Sequence, residues 1–378
     1  MTAIAVGCAA LIIVLSVFNG FEGLVKGLYA DFYADMRIVP ARGKTLHISD
    51  SAIQKIKTTA GVTALSFVAE EKAVLSGALQ TIVSIKGVDT GYTGITKISA
   101  AKHIPRGKFD LGSLANPKLV VGAGIENAAG IEIEKNLATA TLYLPNREAK
   151  RLTNEDGLNS FSVTPSGTFM VQQDFDNKYV FSNLPFVKFM LSMAPDEFSS
   201  IEMGIAGNPD RVKKDLQKQL GKDFLVETRY EQNKTLYAVM QVEKWVIYGI
   251  LALILVVAAF NMVGALTMLV LEKQKDIAVL KAMGAHDSLI QKIFLSEGLL
   301  LAAIGGGTGI ILASFICWLQ IHFHLIKLGG NTFIIDYYPV QIIATDYLLV
   351  LVTVSLIAIA ASWIPARKAG QQVFSLKS

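Results

Sequence analysis

Residues 245–271 read WVIYGILALILVVAAFNMVGALTMLVL, 27 residues without a charged side chain. A helix needs roughly 20 apolar residues to cross a hydrocarbon core of about 30 Å, and a run this long has few other uses. Three more runs reach that length. Met1–Phe21 carries no charge, Gly298–Ile326 none over 29 residues, and Tyr347–Ala366 none over 20. The chain therefore predicts four membrane spans.

Composition agrees. Of 378 residues, 52% are hydrophobic and 17% charged, below the roughly 25% charged of soluble domains. The net charge of +4 is mild, and no Arg/Lys cluster with interleaved aromatics points to nucleic acid. Cys8 and Cys317 both sit in apolar runs, which excludes a disulfide framework as the organising device. The N-terminal run lacks the basic n-region of a signal peptide. Ala5-Val6-Gly7-Cys8 comes too early to be a lipoprotein cleavage box, so a span is the better reading.

Orientation follows from short-loop lysines and arginines. Residues 272–292 hold Lys273, Lys275, Lys281 and Lys292, and the tail adds Arg367, Lys368 and Lys377. The loop 327–346 has Lys327 alone. The middle loop and C-terminus are thus expected in the cytoplasm, with residues 22–244 outside. The expected division is span 1–21, outer α+β domain 22–244, span 245–271, cytoplasmic segment 272–292, span 293–326, outer loop 327–346, span 347–366 and cytoplasmic tail 367–378.

The outer segment has the texture of mixed α and β. Ser49-Asp50 caps a short helix that Gly61 stops, and Asn208-Pro209 opens another, striped with Val212, Leu216 and Leu220 and ended by Gly221. Ala73–Leu75 and Thr81–Val88 read as a hairpin. Ala138–Leu144, Phe161–Val163 and Thr168–Val171 read as strands. Tyr230–Lys244 reads as a helix running unbroken into the second span.

Chemistry is sparse. No Gly-x-x-x-x-Gly-Lys-Ser/Thr phosphate loop occurs, and Gly122-Ala123-Gly124 lacks the third glycine of a dinucleotide loop. His47, His103, His286, His322 and His324 form no metal-ligand pattern, and no nucleophile–base–acid set assembles. No catalytic residue and no metal site is expected. Gly305-Gly306-Gly307 and Gly309 read as a close helix-packing face. Within Glu272–Ala285, a helix would put Ile277, Leu280 and Gly284 on one face, while Glu272, Lys273, Asp276 and Lys281 are polar. Such a helix suits either the bilayer surface or a cytoplasmic partner.

That segment resembles the coupling segment of the FtsX/MacB superfamily of ABC-transporter permeases. The tail Ser362-Trp-Ile-Pro-Ala-Arg-Lys-Ala369 resembles its C-terminal Pro-Ala-Arg signature. Val242-Glu-Lys-Trp245, Ala259-Phe-Asn-Met-Val-Gly-Ala-Leu266, Leu271-Glu-Lys-Gln274 and Val14-Leu-Ser-Val-Phe-Asn-Gly-Phe-Glu22 are similar to the lipoprotein-releasing permeases LolC and LolE. The resemblance implies a type VII ABC permease with a MacB-like Porter/Sabre domain in the periplasm of a bacterial inner membrane. It implies two permease subunits, alike or mixed, beside a separate LolD-like ATPase that binds ATP and Mg, so this chain itself is not the enzyme. It implies lipoprotein substrates and handover to a LolA-like carrier. The coupling residues would be Glu272, Lys273, Asp276, Ile277, Leu280, Lys281 and Gly284. Val17, Phe18, Phe21, Val246 and Tyr248 would line a lateral path for lipid and lipoprotein acyl chains. A carrier-binding hook would fall near Pro145, Asn146 and Arg147. The alternative within the superfamily is a mechanotransmitting permease for efflux or cell-wall hydrolase regulation.

Overall fold

The computed structural model describes residues 2–133, 139–145, 158–328 and 337–371. Its contacts divide into two compact units. One takes the chain up to Val25 and from Leu236 onward; the other is built on Lys26–Thr235. Helix α1 (Thr2–Phe32) contributes its apolar length to the first and its last turns to the second.

After α1 the second unit runs β1 (Met36–Pro40), β2 (Leu46–His47), α2 (Asp50–Thr58), β3 (Val62–Ser76), β4 (Gln80–Val88) and α3 (Tyr92–Ile95). It continues through β5 (Arg106–Gly107), β6 (Lys118–Gly122), α4 (Ala123–Ala129), β7 (Ala140–Pro145), β8 (Leu158–Phe169) and α5 (Gln173–Asp176). Then come β9 (Tyr179–Asn183), α6 (Leu184–Met190), β10 (Glu197–Phe198), β11 (Ser200–Ile205), α7 (Pro209–Leu220), β12 (Phe224–Thr228) and α8 (Arg229–Gln232). Among the described residues a ten-stranded mixed sheet runs β12-β1-β11-β3-β4-β9-β6-β8-β5, with β7 joining β3 to β8. This is the expected α+β domain.

Local chemistry explains the elements. Ser49 accepts from the Ala52 amide at the start of α2. Asn208 accepts from Asp210 and Arg211 amides at α7, where Pro209 takes the first turn, and Gly221 follows at φ +80°. The β3–β4 hairpin is longer than the alternation in the sequence suggests, because β3 pairs along its first half with β11 and along its second with β4 and β7. The two strands expected at 161–163 and 168–171 are one strand, β8. Pro165 is absorbed where the register slips, Leu119 facing Pro165 and Val120 facing Gly167. The core between sheet and helices gathers Met36, Ile38, Ile56, Leu75, Ile85, Leu142 and Val180.

The helix expected to run unbroken from Tyr230 breaks. A capping box between Thr228 and Glu231 opens α8, which lasts a single turn; Asn233 leaves helical geometry at φ −127°, and a new helix starts at Lys234.

The first unit comprises the early part of α1 with α9 (Lys234–Glu272), α10 (Gln274–Ala282), α11 (Asp287–Phe323) and α12 (Ala344–Gln371). Helices α1, α9, α11 and α12 are long and apolar enough to span a membrane. Helix α1 is the best enclosed, with half of its most apolar stretch buried against 17% for α9. The glycine stripe of α11 lies against α1: a Cβ on Gly309 would come within 2.5 Å of the Ala5 carbonyl oxygen, and Cys8 Sγ sits 3.6 Å from the Gly306 oxygen. Both cysteines are free and buried. Helices α1 and α9 are antiparallel, meeting at Gly7 with Leu255 and at Asn19 with Lys244.

Candidate coupling site and membrane path

The segment expected in the cytoplasm is three pieces rather than one helix. Helix α9 ends at Glu272, α10 spans Gln274–Ala282, and Gly284 at φ +94° turns the chain toward α11. The turn needs that glycine, since an L side chain rarely adopts such a φ. Residues 287–292 are already the first turns of α11.

One side of α10 is fixed. Ile277 is buried and Leu280 half-buried, joined by Val270, Ile290, Phe294, Ala366 and Ala369 in a cluster that ties α9, α10, α11 and α12. Lys281 bridges the same elements, donating to the Gly370 carbonyl at 2.6 Å and pairing with Asp287 at 3.0 Å. Pro365 and Ala366 of the Pro-Ala-Arg stretch are buried, whereas Arg367 is exposed. The charges around the start of α10 remain open to solvent. Glu272, Lys273, Lys275 and Asp276 are exposed, with Lys273 and Asp276 paired at 3.1 Å. A cavity of about 310 Å³ between α10 and α11 is lined by Leu269, Ile277, Leu280 and Phe294 together with the charged Lys273 and Asp276. The packed cluster thus joins α10 to three of the long helices. Ile290, Phe294, Ala366 and Ala369 were not singled out from the sequence, although the i, i+4 spacing of 290 and 294 and the i, i+3 spacing of 366 and 369 carried the signal.

The path residues divide between two helices. Val17, Phe18 and Phe21 are half-buried on α1, Phe21 standing edge-on to Tyr338 at 5.7 Å between ring centroids. Val246 is exposed on α9 and lines a shallow groove with Val242 and Trp245. Tyr248 is half-buried, its hydroxyl bonded to Thr353.

Residues 248–373 match the FtsX-like permease C-terminal family. The chain is 25% identical over 370 residues to the lipoprotein-releasing system transmembrane protein LolC of Xylella fastidiosa, covering 96% of this chain and 87% of that one. It is 26% identical over 389 residues to LolE of Haemophilus influenzae, covering 97% and 90%. The chain resembles the lipoprotein-releasing permeases along nearly its whole length. The periplasmic region of MacB from Actinobacillus actinomycetemcomitans aligns at 11% identity with a TM-score of 0.38, covering 57% of this chain and 98% of that one.

In this LolC/LolE-like chain Pro145 ends β7 and pairs in register with Leu158 of β8, while Asn146 and Arg147 lie outside the described residues. Gly122 closes β6 directly into α4, a strand-to-helix turn. Among the described residues no group of three or more His, Cys, Asp or Glu could hold a metal.

Proposed function

We propose that this chain is the permease subunit of an ABC transporter that extracts lipoproteins from the bacterial inner membrane, with its large domain in the periplasm. Near-full-length similarity to LolC and LolE carries the reading. The built cytoplasmic cluster under α10 supports it, because a permease driven from outside itself needs a stiff receiving element. ATP and Mg belong to a separate LolD-like ATPase docked on the exposed side of α10. A second LolC/LolE-like permease completes the transporter, and a LolA-like carrier receives the cargo. Acyl chains leave lipid along Val17, Phe18, Phe21, Val246 and Tyr248, since passing from hydrocarbon to an equally apolar groove costs little. A photo-crosslinker at Phe21 should capture acylated lipoprotein in membranes. Capture only from positions on the α1–α12 face would contradict the path.

A further inference from the structure

Three side chains from three helices close a polar ring at the outer end of the membrane unit. Lys244 Nζ donates to Asn19 Oδ1 at 2.9 Å and lies 3.3 Å from Asp346 Oδ1. Asn19 Nδ2 in turn donates to Asp346 Oδ2 at 2.5 Å. Asn19 and Asp346 are 2% and 6% exposed. Lys244 directly precedes the uncharged run of α9, and Asp346 that of α12. Ionisable groups at that depth are costly unless paired, and removing one leaves its partner uncompensated.

The ring matters because α9 has so few other holds, with only 17% of its most apolar stretch buried. A second polar tie, Tyr248 to Thr353, lies one turn deeper on the same helix. Helix α1 is clamped independently to the segment before α12. The Ser16 carbonyl accepts from the Gln341 amide at 2.9 Å. Gly20 sits so close to Pro339 that a Cβ would fall 2.2 Å from its carbonyl oxygen. The outer ends of α1 and α12 thus form one wall, and the outermost attachment of α9 to it is an ammonium, one turn above the Tyr248–Thr353 bond. The Lys244 side chain remains 27% exposed, so water can take over its bonds when the ring opens. A flexible stem lets a compact charge exchange one set of partners for the other.

We propose that Asn19, Lys244 and Asp346 form a releasable latch. Closed, it holds the outer end of α9 against α1; open, it lets α9 swing away and uncovers Val17 and Phe18. What enters the opening rests on the transport reading, but the latch is a property of the chain alone.

Labelling tests it on the full chain in membrane vesicles with no lipoprotein present. With Cys8→Ala and Cys317→Ala as background, Phe18→Cys reports exposure to a membrane-impermeant maleimide, and Ala302→Cys serves as a buried control. Lys244→Met should raise the Phe18→Cys labelling rate about tenfold and leave Ala302→Cys slow, since an unpaired Asp346 drives the ring open. The exchange Lys244→Asp with Asp346→Lys should return slow labelling. An unchanged rate in Lys244→Met, an exchange variant as fast as Lys244→Met, or equal acceleration at Ala302→Cys would overturn the latch. None of these results touches the transport reading.

Discussion

Asp176, the last residue of α5, is 6% exposed and accepts a hydrogen bond from the Val171 amide at 2.9 Å. Burial pushes its carboxyl up to about 6, although amide bonds from Val171 and Gln172 pull the other way. The ordinary value is about 3.9, so the folded chain holds this proton where the unfolded chain releases it. Its stabilising effect is complete below the unfolded value and is lost as pH rises through about 6. Glu70 acts in the same sense, raised by burial with Glu202 reinforcing and Lys86 opposing. Asp31 acts in the opposite sense. Burial pushes it up, but hydrogen bonds from Lys102 and His103 hold it below the usual carboxylate range, so its contribution fails only in stronger acid. The melting temperature of the full chain in detergent should therefore rise as pH falls from 8 to 5, and Asp176→Asn should flatten that slope. A melting temperature that falls over this window in both proteins would contradict the assignment. Nothing in Gln173-Asp-Phe-Asp176 announces this, because burial of a short polar turn is decided by sheet topology that local sequence does not encode.

At the scale of elements, α10 combines a buried anchor with exposed charges. Ile277 belongs to the packed side, and Ile277→Ala should lower stability by about 2 to 4 kcal/mol, as truncating a fully buried aliphatic does. Glu272 and Asp276 are exposed, and the Lys273–Asp276 pair is worth no more than about 1 kcal/mol. Reversing both carboxylates to Lys should leave membrane insertion and melting temperature unchanged. It should cost a few kcal/mol at the partner contact and abolish co-purification of the ATPase. Retention of the ATPase would reduce the open face of α10 to a surface helix.

The same elements show what was readable in advance. Uncharged length alone located the four spans, because hydrocarbon tolerates few alternatives. Caps at Ser49 and Asn208 placed α2 and α7 for an equally local reason. The break at Asn233 was hidden because the 230–244 stretch has no proline or glycine to announce it. The single strand β8 was hidden by Pro165, which reads as a breaker unless a bulge in a neighbouring strand's pairing is known. The polar face of the coupling segment was legible, while its anchorage to Phe294 and Ala369 depends on helices distant in the chain.

For the molecule as a whole, the proposed function is conversion of a partner's ATP hydrolysis into removal of an acylated protein from a bilayer. The direct measurement is reconstitution of the full chain with a LolD-type ATPase in proteoliposomes carrying an acylated lipoprotein, with a LolA-type carrier outside. Lipoprotein should appear in the soluble fraction with ATP, and none without ATP or without this chain. Stable assembly with active ATP hydrolysis but no release of any acylated lipoprotein would contradict it.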